Sequence, residues 1–270
     1  MRIFVIILLV FSFLPSHSQE KQFADKSFYL IDSLVLEELP EHNQKLIDSC
    51  LTLYHQTEED SLKWKYLNAI AENTYTDTWY SYQKLASEIS QKKIRAQLTP
   101  KERKIFLNYY STDINNEAFW YSEKSQLQTA EKLYKTAIEL LLNLKDSSNL
   151  AITLNNLAGN YNRQGKTQKA IETYERSIFI AKQCNSSSTG QIISSLAKVY
   201  DELGREEEAV NLLNEALSYI DQTKSIANKA QILENIGYLL SKRSDFNYQK
   251  TLDYYKKSLA INKQLNYILK

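Results

Sequence analysis

"NNLAGNYNRQGKTQKAIETYERS", residues 155–177, sets small and aromatic residues at fixed intervals: Ala158, Tyr161, Gly165, Ala170, Tyr174 and Ser177. The order recurs along the chain. Downstream, "SSLAKVYDELGREEEAVNLLNEAL" places Ala197, Tyr200, Gly204, Ala209 and Ala216 in the same relation. Upstream, "INNEAFWYSEKSQLQTAEKLYKTAI" supplies Ala118, Tyr121, Ala130, Tyr134 and Ala137. Toward the C-terminus, "LENIGYLLSKRSDFNYQKTLDYYKKSL" gives Gly237, Thr251 and Ser258 once two residues are inserted near 245–248. Ala130 to Ala170 is 40 residues, Ala170 to Ala209 is 39 and Ala197 to Gly237 is 40. Similarity at such a period marks stacked supersecondary units rather than one globular core.

Each unit reads as two amphipathic helices. Helix A carries Leu154, Leu157 and Tyr161, and helix B carries Ala170, Tyr174 and Ser177, at three- and four-residue steps. Gly165 and Gly204 fall between them, where a residue of positive φ commonly ends a helix. Antiparallel helices approach closely only where side chains are short, which accounts for the small positions, while tyrosines fill the gaps between successive helices. Composition agrees. Only five glycines and three prolines stand in 270 residues, with 43% apolar and 24% charged residues, which favours an all-helical fold.

The pattern resembles the tetratricopeptide repeat, a leucine, then Leu-Ala, tyrosine, alanine, aromatic and small residue, matched here in order by Leu154, Leu157-Ala158, Tyr161, Ala170, Tyr174 and Ser177. The resemblance implies an all-α solenoid of antiparallel helix pairs wound as a right-handed superhelix, with about four pairs over residues 99–270. Two departures stand out. The period exceeds the usual 34 residues, and Glu117 occupies the place of Leu157, Leu196 and Ile236. The segment before the array is helical but degenerate. Ile70-Ala71, Tyr75, Tyr82, Ala86 and Ile89 form a worn copy, Pro40 opens a helix through Leu46 to Leu53, and an earlier helix holds Phe28, Leu30 and Leu34. Residues 19–98 are thus expected to cap the array. Thr99, Pro100 and Glu102 write a capping box for a helix that either continues to Ala118 or breaks at Ser111-Thr112-Asp113.

Residues 1–18 have the order of a secretory signal: Arg2, an apolar run from Ile3 to Leu14, Pro15, and small Ser16 and Ser18 before Gln19. Export to a bacterial periplasm or envelope is the expectation, with an uncleaved anchor as the competing reading. No other run reaches spanning length, so no membrane span is expected in the mature chain. Lys and Arg total 33 against 32 acidic residues, a balance that gives no broad footprint for nucleic acid. Cys50, at helical spacing with Leu46, Ile47 and Leu53, reads as a small core residue, and a bridge to the distant Cys184 is not expected.

No catalytic constellation emerges. His42 and His55 lack metal-ligand partners and read as solvated helix residues, no phosphate loop or nucleophile elbow is present, and Glu206 to Glu208 suit a helix start. A non-enzyme without metal or cofactor is expected, working by binding. The family resemblance assigns the inner groove to helix A residues that face away from helix B: Asn115, Phe119, Asn155, Asn162, Arg163, Ser194, Lys198, Asp201, Glu234 and Tyr238. Amides, aromatics and charges in that mix suit a protein or an extended peptide. Asn155, Asn162 and Arg163 read as residues that packing leaves free. Relatives that grip acidic chaperone tails carry a Lys-Asn pair in helix A, and no unit here has one. The chain also resembles the exported sensor regions of Bacteroidota signalling proteins, so the alternative to a scaffold is a sensory module acting through a membrane kinase or regulator. Leu259, Ile261, Leu265 and Ile268 near the C-terminus raise the further expectation of a homodimer through that end.

Overall fold

A computed structural model of the chain describes residues 24–32, 34–74, 78–223, 226–242 and 247–268. The leader, Tyr75 and the insertion at 245–246 lie outside the described residues. Among those described, all regular structure is helical: α1 (Lys26–Tyr29), α2 (Glu41–Gln56), α3 (Asp60–Asn73), α4 (Thr78–Ile94), α5 (Pro100–Glu123), α6 (Leu127–Leu144), α7 (Ser147–Arg163), α8 (Thr167–Gln183), α9 (Thr189–Glu202), α10 (Glu206–Thr223), α11 (Ile226–Lys242) and α12 (Tyr248–Ile268). A 3-10 turn at Leu36–Glu38 precedes α2.

The repeating pairs are α5/α6, α7/α8, α9/α10 and α11/α12, each packed on the next. Neighbouring A helices also touch one another, α5 on α7, α7 on α9 and α9 on α11, whereas successive B helices approach less. The A helices therefore line the tighter, inner side of the stack. All the small landmark sites, Ala118 through Ser258, are buried, and most have no accessible surface. Tyr134, Tyr161 and Tyr174 are buried beside them. Gly165 and Gly204 take φ of 72° and 71° and close their A helices, as the sequence requires. Ser125 stands at the same register in the first pair and adopts φ 59° without glycine's freedom.

The capping box at the start of α5 is complete, with Thr99 Oγ1 accepting the Glu102 N–H and the Glu102 carboxylate accepting the Thr99 N–H. The helix then runs unbroken through Ser111-Thr112-Asp113. Ser111 and Thr112 turn their hydroxyls back onto the Asn108 carbonyl, and the Asp113 carboxylate has partners elsewhere, so none competes with the helical ladder. One expectation fails. The helix through Phe28, Leu30 and Leu34 shrinks to the four residues of α1. Leu30 ends it in the left-handed region at φ 67°, and the Ala24 N–H bonds the Leu34 carbonyl at 2.8 Å. The segment thus doubles back and buries Ile31, Leu34 and Leu39. His55 is likewise more than a solvated residue, since its Nε2 lies 2.8 Å from the Phe28 carbonyl oxygen and its ring stacks on Phe28.

Two apolar clusters result. One joins α2, α3 and α4 with the α1 segment and includes Cys50, Trp64, Leu67, Ile70, Tyr82 and Ala86. The other runs continuously from Ala118 to Leu240. Between them, polar residues of α4 and α5 are buried: Gln83, Ser90, Ser111, Asp113 and Asn115. Cys50 and Cys184 are both free, the first buried and the second exposed.

Candidate functional site

The inner side is built by the exposed edges of α5, α7, α9 and α11, and a concavity lies between the last two. Ser194, Ser195, Lys198 and Asp201 of α9 face Asn235 and Tyr238 of α11 across a cleft of about 350 Å³, floored by Ala197, Leu213 and Leu239. Helical spacing explains the lining, since 194, 198 and 201 share one face of α9 and 235 and 238 share one face of α11. Tyr238 is 52% exposed, an aromatic ring held at the rim. Lys242 sits 5.1 Å from that ring centroid and donates to Asp201 at 2.7 Å, closing one end of the cleft. Lys198 is exposed and, among the described residues, has no ion-pair or hydrogen-bond partner. The cleft thus combines apolar walls, neutral hydroxyls and an amide, an aromatic edge and one uncommitted cation.

Four of the residues read from sequence, Ser194, Lys198, Asp201 and Tyr238, come together here. Glu234 is exposed on α11 next to Asn235 but does not line the cleft. Phe119 lies at the other end of the inner side, 42% exposed, with its ring 6.1 Å from that of Trp79. Asn155, Asn162 and Arg163 are not free of structural work. Arg163 pairs with Glu123, Asn162 donates to Glu202 at 2.7 Å, and Asn155 donates to Asn156 at 3.2 Å. Asn115 is not an open groove residue either, since it is only 8% exposed and accepts from Asn156 at 3.1 Å. The reason is geometric. Adjacent A helices converge on the inner side, so residues about 40 apart reach one another and stitch the pairs together. Each exposed pair of this kind contributes only up to about 1 kcal/mol, so the links set register more than stability.

Several residues that matter do not stand out in the sequence. Asp113 is buried and accepts hydrogen bonds from Trp64 Nε1 at 3.0 Å, Gln83 Nε2 at 2.8 Å and the Ser90 hydroxyl. Burial raises its carboxyl to about 7, and Glu117 adds like-charge repulsion, while the three hydrogen bonds pull the other way. Glu117, in place of the usual leucine, is half-buried at the edge of a small cleft of about 220 Å³ shared with Asp113, Tyr80, Lys84 and Glu88. Glu131 on α6 is the second ionic centre. It bonds Lys135 at 2.8 Å, Lys166 at 3.3 Å and Gln164 at 3.2 Å. Burial works to raise its carboxyl, but those partners outweigh it and hold the group down at about 2. The signal for Asp113 was a lone acid at the register of Thr153, inside a core stripe. For the ladder it was the doublet Asn115-Asn116 recurring as Asn155-Asn156.

Among the described residues no three His, Cys, Asp or Glu side chains converge to hold a metal ion, and no helix is long and apolar enough to cross a membrane. Tetratricopeptide repeat models match residues 110–183 and 191–223. Among solved structures, the chain is similar to BtubC (BKLC) from P. vanneervenii at 16% identity and TM-score 0.58, over 86% of this chain and 93% of that one. It is also similar to a signal transduction ATPase of the STAND type, with a tetratricopeptide repeat sensor, from Pyrococcus horikoshii. That match has 16% identity and TM-score 0.56, over 87% of this chain but 38% of the other. Aspartyl phosphate phosphatase F from Bacillus subtilis matches at 12% identity and TM-score 0.51, over 82% and 72%. At such identities the likeness is one of fold. No curated protein matches the chain.

Proposed function

We propose that this tetratricopeptide repeat protein is a non-enzymatic scaffold that binds an extended peptide segment of a partner protein along its inner side. The observation that carries the reading is the cleft between α9 and α11, where Lys198 is an uncommitted cation beside the exposed ring of Tyr238. Apolar walls with one free cation suit a segment that places an aliphatic or aromatic side chain next to a carboxylate. Ser194, Ser195 and Asn235 supply short hydroxyl and amide groups for main-chain N–H and C=O. A random-sequence peptide library displayed against the full chain tests this. Enriched peptides are expected to carry an acidic residue beside an apolar one and to bind Lys198→Ala/Tyr238→Ala at least about tenfold more weakly. Equal binding by the double variant, at unchanged unfolding, would rule the cleft out as the binding site.

The leader-like residues 2–18 support placing the protein in the bacterial envelope. N-terminal sequencing of the protein from fractionated native cells tests that placement: a start at Gln19 supports it, and a retained Met1 in the cytosolic fraction opposes it. The sensory alternative draws on the exposed Leu259 and Tyr255 of α12, an apolar surface for a second protein or a second copy. Concentration-dependent sedimentation of wild type against Leu259→Glu distinguishes a homodimer from a monomer.

A further inference from the structure

A directed chain of side-chain amides runs from Asp113 to the inner side of the second repeat. Gln83 Nε2 donates to Asp113 Oδ1 at 2.8 Å, and Asn116 Nδ2 donates to Gln83 Oε1 at 2.8 Å. Asn115 Nδ2 donates to Asn116 Oδ1 at 3.1 Å, Asn156 Nδ2 to Asn115 Oδ1 at 3.1 Å, and Asn155 Nδ2 to Asn156 Oδ1 at 3.2 Å. Every donor points toward the carboxylate. An amide has one donor end and one acceptor end, so the sense cannot change at a single link without setting two NH₂ groups or two oxygens face to face. An ionised carboxylate only accepts, which fixes the sense of the first link and therefore of all five. At the far end, Asn155 Oδ1 is buried and accepts no hydrogen bond.

We propose that Asp113 is a positioning residue whose proton sets the sense of this amide chain, and with it whether the chain ends at Asn155 on an unmet oxygen or an unmet NH₂. With the carboxylate ionised, the chain runs as described and leaves the Asn155 oxygen as a buried, unmet acceptor. With a proton on Oδ1, Asp113 donates to Gln83 Oε1 and each amide reverses, so that Asn155 Oδ1 receives the Asn156 NH₂ and its own NH₂ turns out. The Ser90 hydroxyl donates to Oδ2 in both states, and the Trp64 N–H, shared in the ionised state between Oδ1 at 3.0 Å and Oδ2 at 3.2 Å, keeps its bond to Oδ2. No atom is gained or lost beyond the one proton. The charge change falls in an accessible range because burial holds the carboxyl near 7. The groups facing it are the neutral Trp64 indole from α3, Tyr80, Lys84 and Glu88 from α4 across the small cleft, and Glu117 from its own helix. The proton-set sense of the chain does not rest on the groove reading, and it is tested without any peptide.

The test is a pH titration of the full chain by side-chain amide and indole NMR, from about pH 5 to 9, two units either side of about 7. The Trp64 indole N–H and the Asn155 and Asn156 side-chain amides are expected to shift together with one midpoint. In Gln83→Met, which cuts the first link but leaves Trp64 and Ser90 on the carboxylate, Trp64 is expected to titrate still and the asparagines to stand still. Asn116→Ala, which cuts the second link, is expected to behave the same way and serves if Gln83→Met does not fold. Three results would overturn the proposal: asparagine amides that do not move while Trp64 titrates, asparagine titration that survives both cuts, or no titration of either group. None depends on peptide binding, so a groove that binds nothing would leave the titration result unchanged.

Discussion

Gly159 and Gly190 in the A helices differ in what an added Cβ would meet, and that difference makes the packing of successive helices testable. At Gly190 of α9, a Cβ would stand 2.7 Å from Ile220 Cγ1 and 2.8 Å from the Ala216 carbonyl oxygen of α10. Ile220 is fully buried and the carbonyl belongs to helix backbone, so neither yields cheaply. Replacing helical glycine by alanine gains about 1 kcal/mol of propensity, against about 1–3 kcal/mol for overpacking. With backbone as the obstacle the upper part of that range applies, and Gly190→Ala is expected to lose about 1–2 kcal/mol net. At Gly159 the only close atom is the Tyr174 hydroxyl at 3.3 Å, the free end of a side chain, so Gly159→Ala is expected to be neutral or to gain about 0.5 kcal/mol. Urea unfolding followed by far-UV circular dichroism compares the variants, and thermal midpoints should separate by several degrees, at about 2–4 °C per kcal/mol. Ile220→Ala in the Gly190→Ala background makes room for the new methyl, so the two changes should cost less together than separately. Gly190→Ala as stable as wild type would refute the close approach of α9 to α10.

Ser125→Gly should stabilise the chain by about 1 kcal/mol, because it relieves a left-handed φ that Gly165 and Gly204 adopt freely; chemical unfolding measures it. Glu131→Gln should destabilise by about 1–2 kcal/mol at neutral pH, discounted for solvent around its lysine partners. The Glu131 carboxyl is held down, so its contribution is full above about 4.5 and is lost as pH falls toward about 2; the gap between variant and wild type should close over that window in urea titrations. Asp113 has the opposite sign. Its folded value lies above 3.8, so the native state binds the extra proton between there and about 7, and stability should fall as pH rises through that interval and level off above it.

The repeat architecture was legible because packing imposes it on every unit. Ala158, Ala170 and Ser177 cannot be large where two backbones meet, and the same demand recurs about 40 residues away. Gly165 and Gly204 declared their turns, but Ser125 hid an identical one behind an ordinary residue. The first helix was overread because apolar spacing in Phe28, Leu30 and Leu34 carries no mark of the reversal at Leu30. The groove was legible as a face, not as a division of labour. Counting from Ala158 locates Asn155, Asn162 and Arg163 on the inner side, yet only the approach of adjacent A helices reveals that Asn162 and Arg163 already have partners, and Asn155 is held by its own neighbour Asn156. Lys198 stands out only in space, as the cation left over when Asp201 takes Lys242. Asp113 was invisible for a related reason: its partners are 49, 30 and 23 residues away on two other helices.

The most direct measurement of the central claim is a map of where a bound peptide lies. A library-selected peptide carrying a photo-reactive group, crosslinked to the full chain and digested, should mark Ser195, Lys198, Asn235 or Tyr238 on α9 and α11. It should spare the outward residues of α8 and α10, such as Phe179, which is exposed away from the cleft. Crosslinks concentrated on Phe179 and its neighbours, with α9 and α11 unmarked, would contradict binding on the inner side.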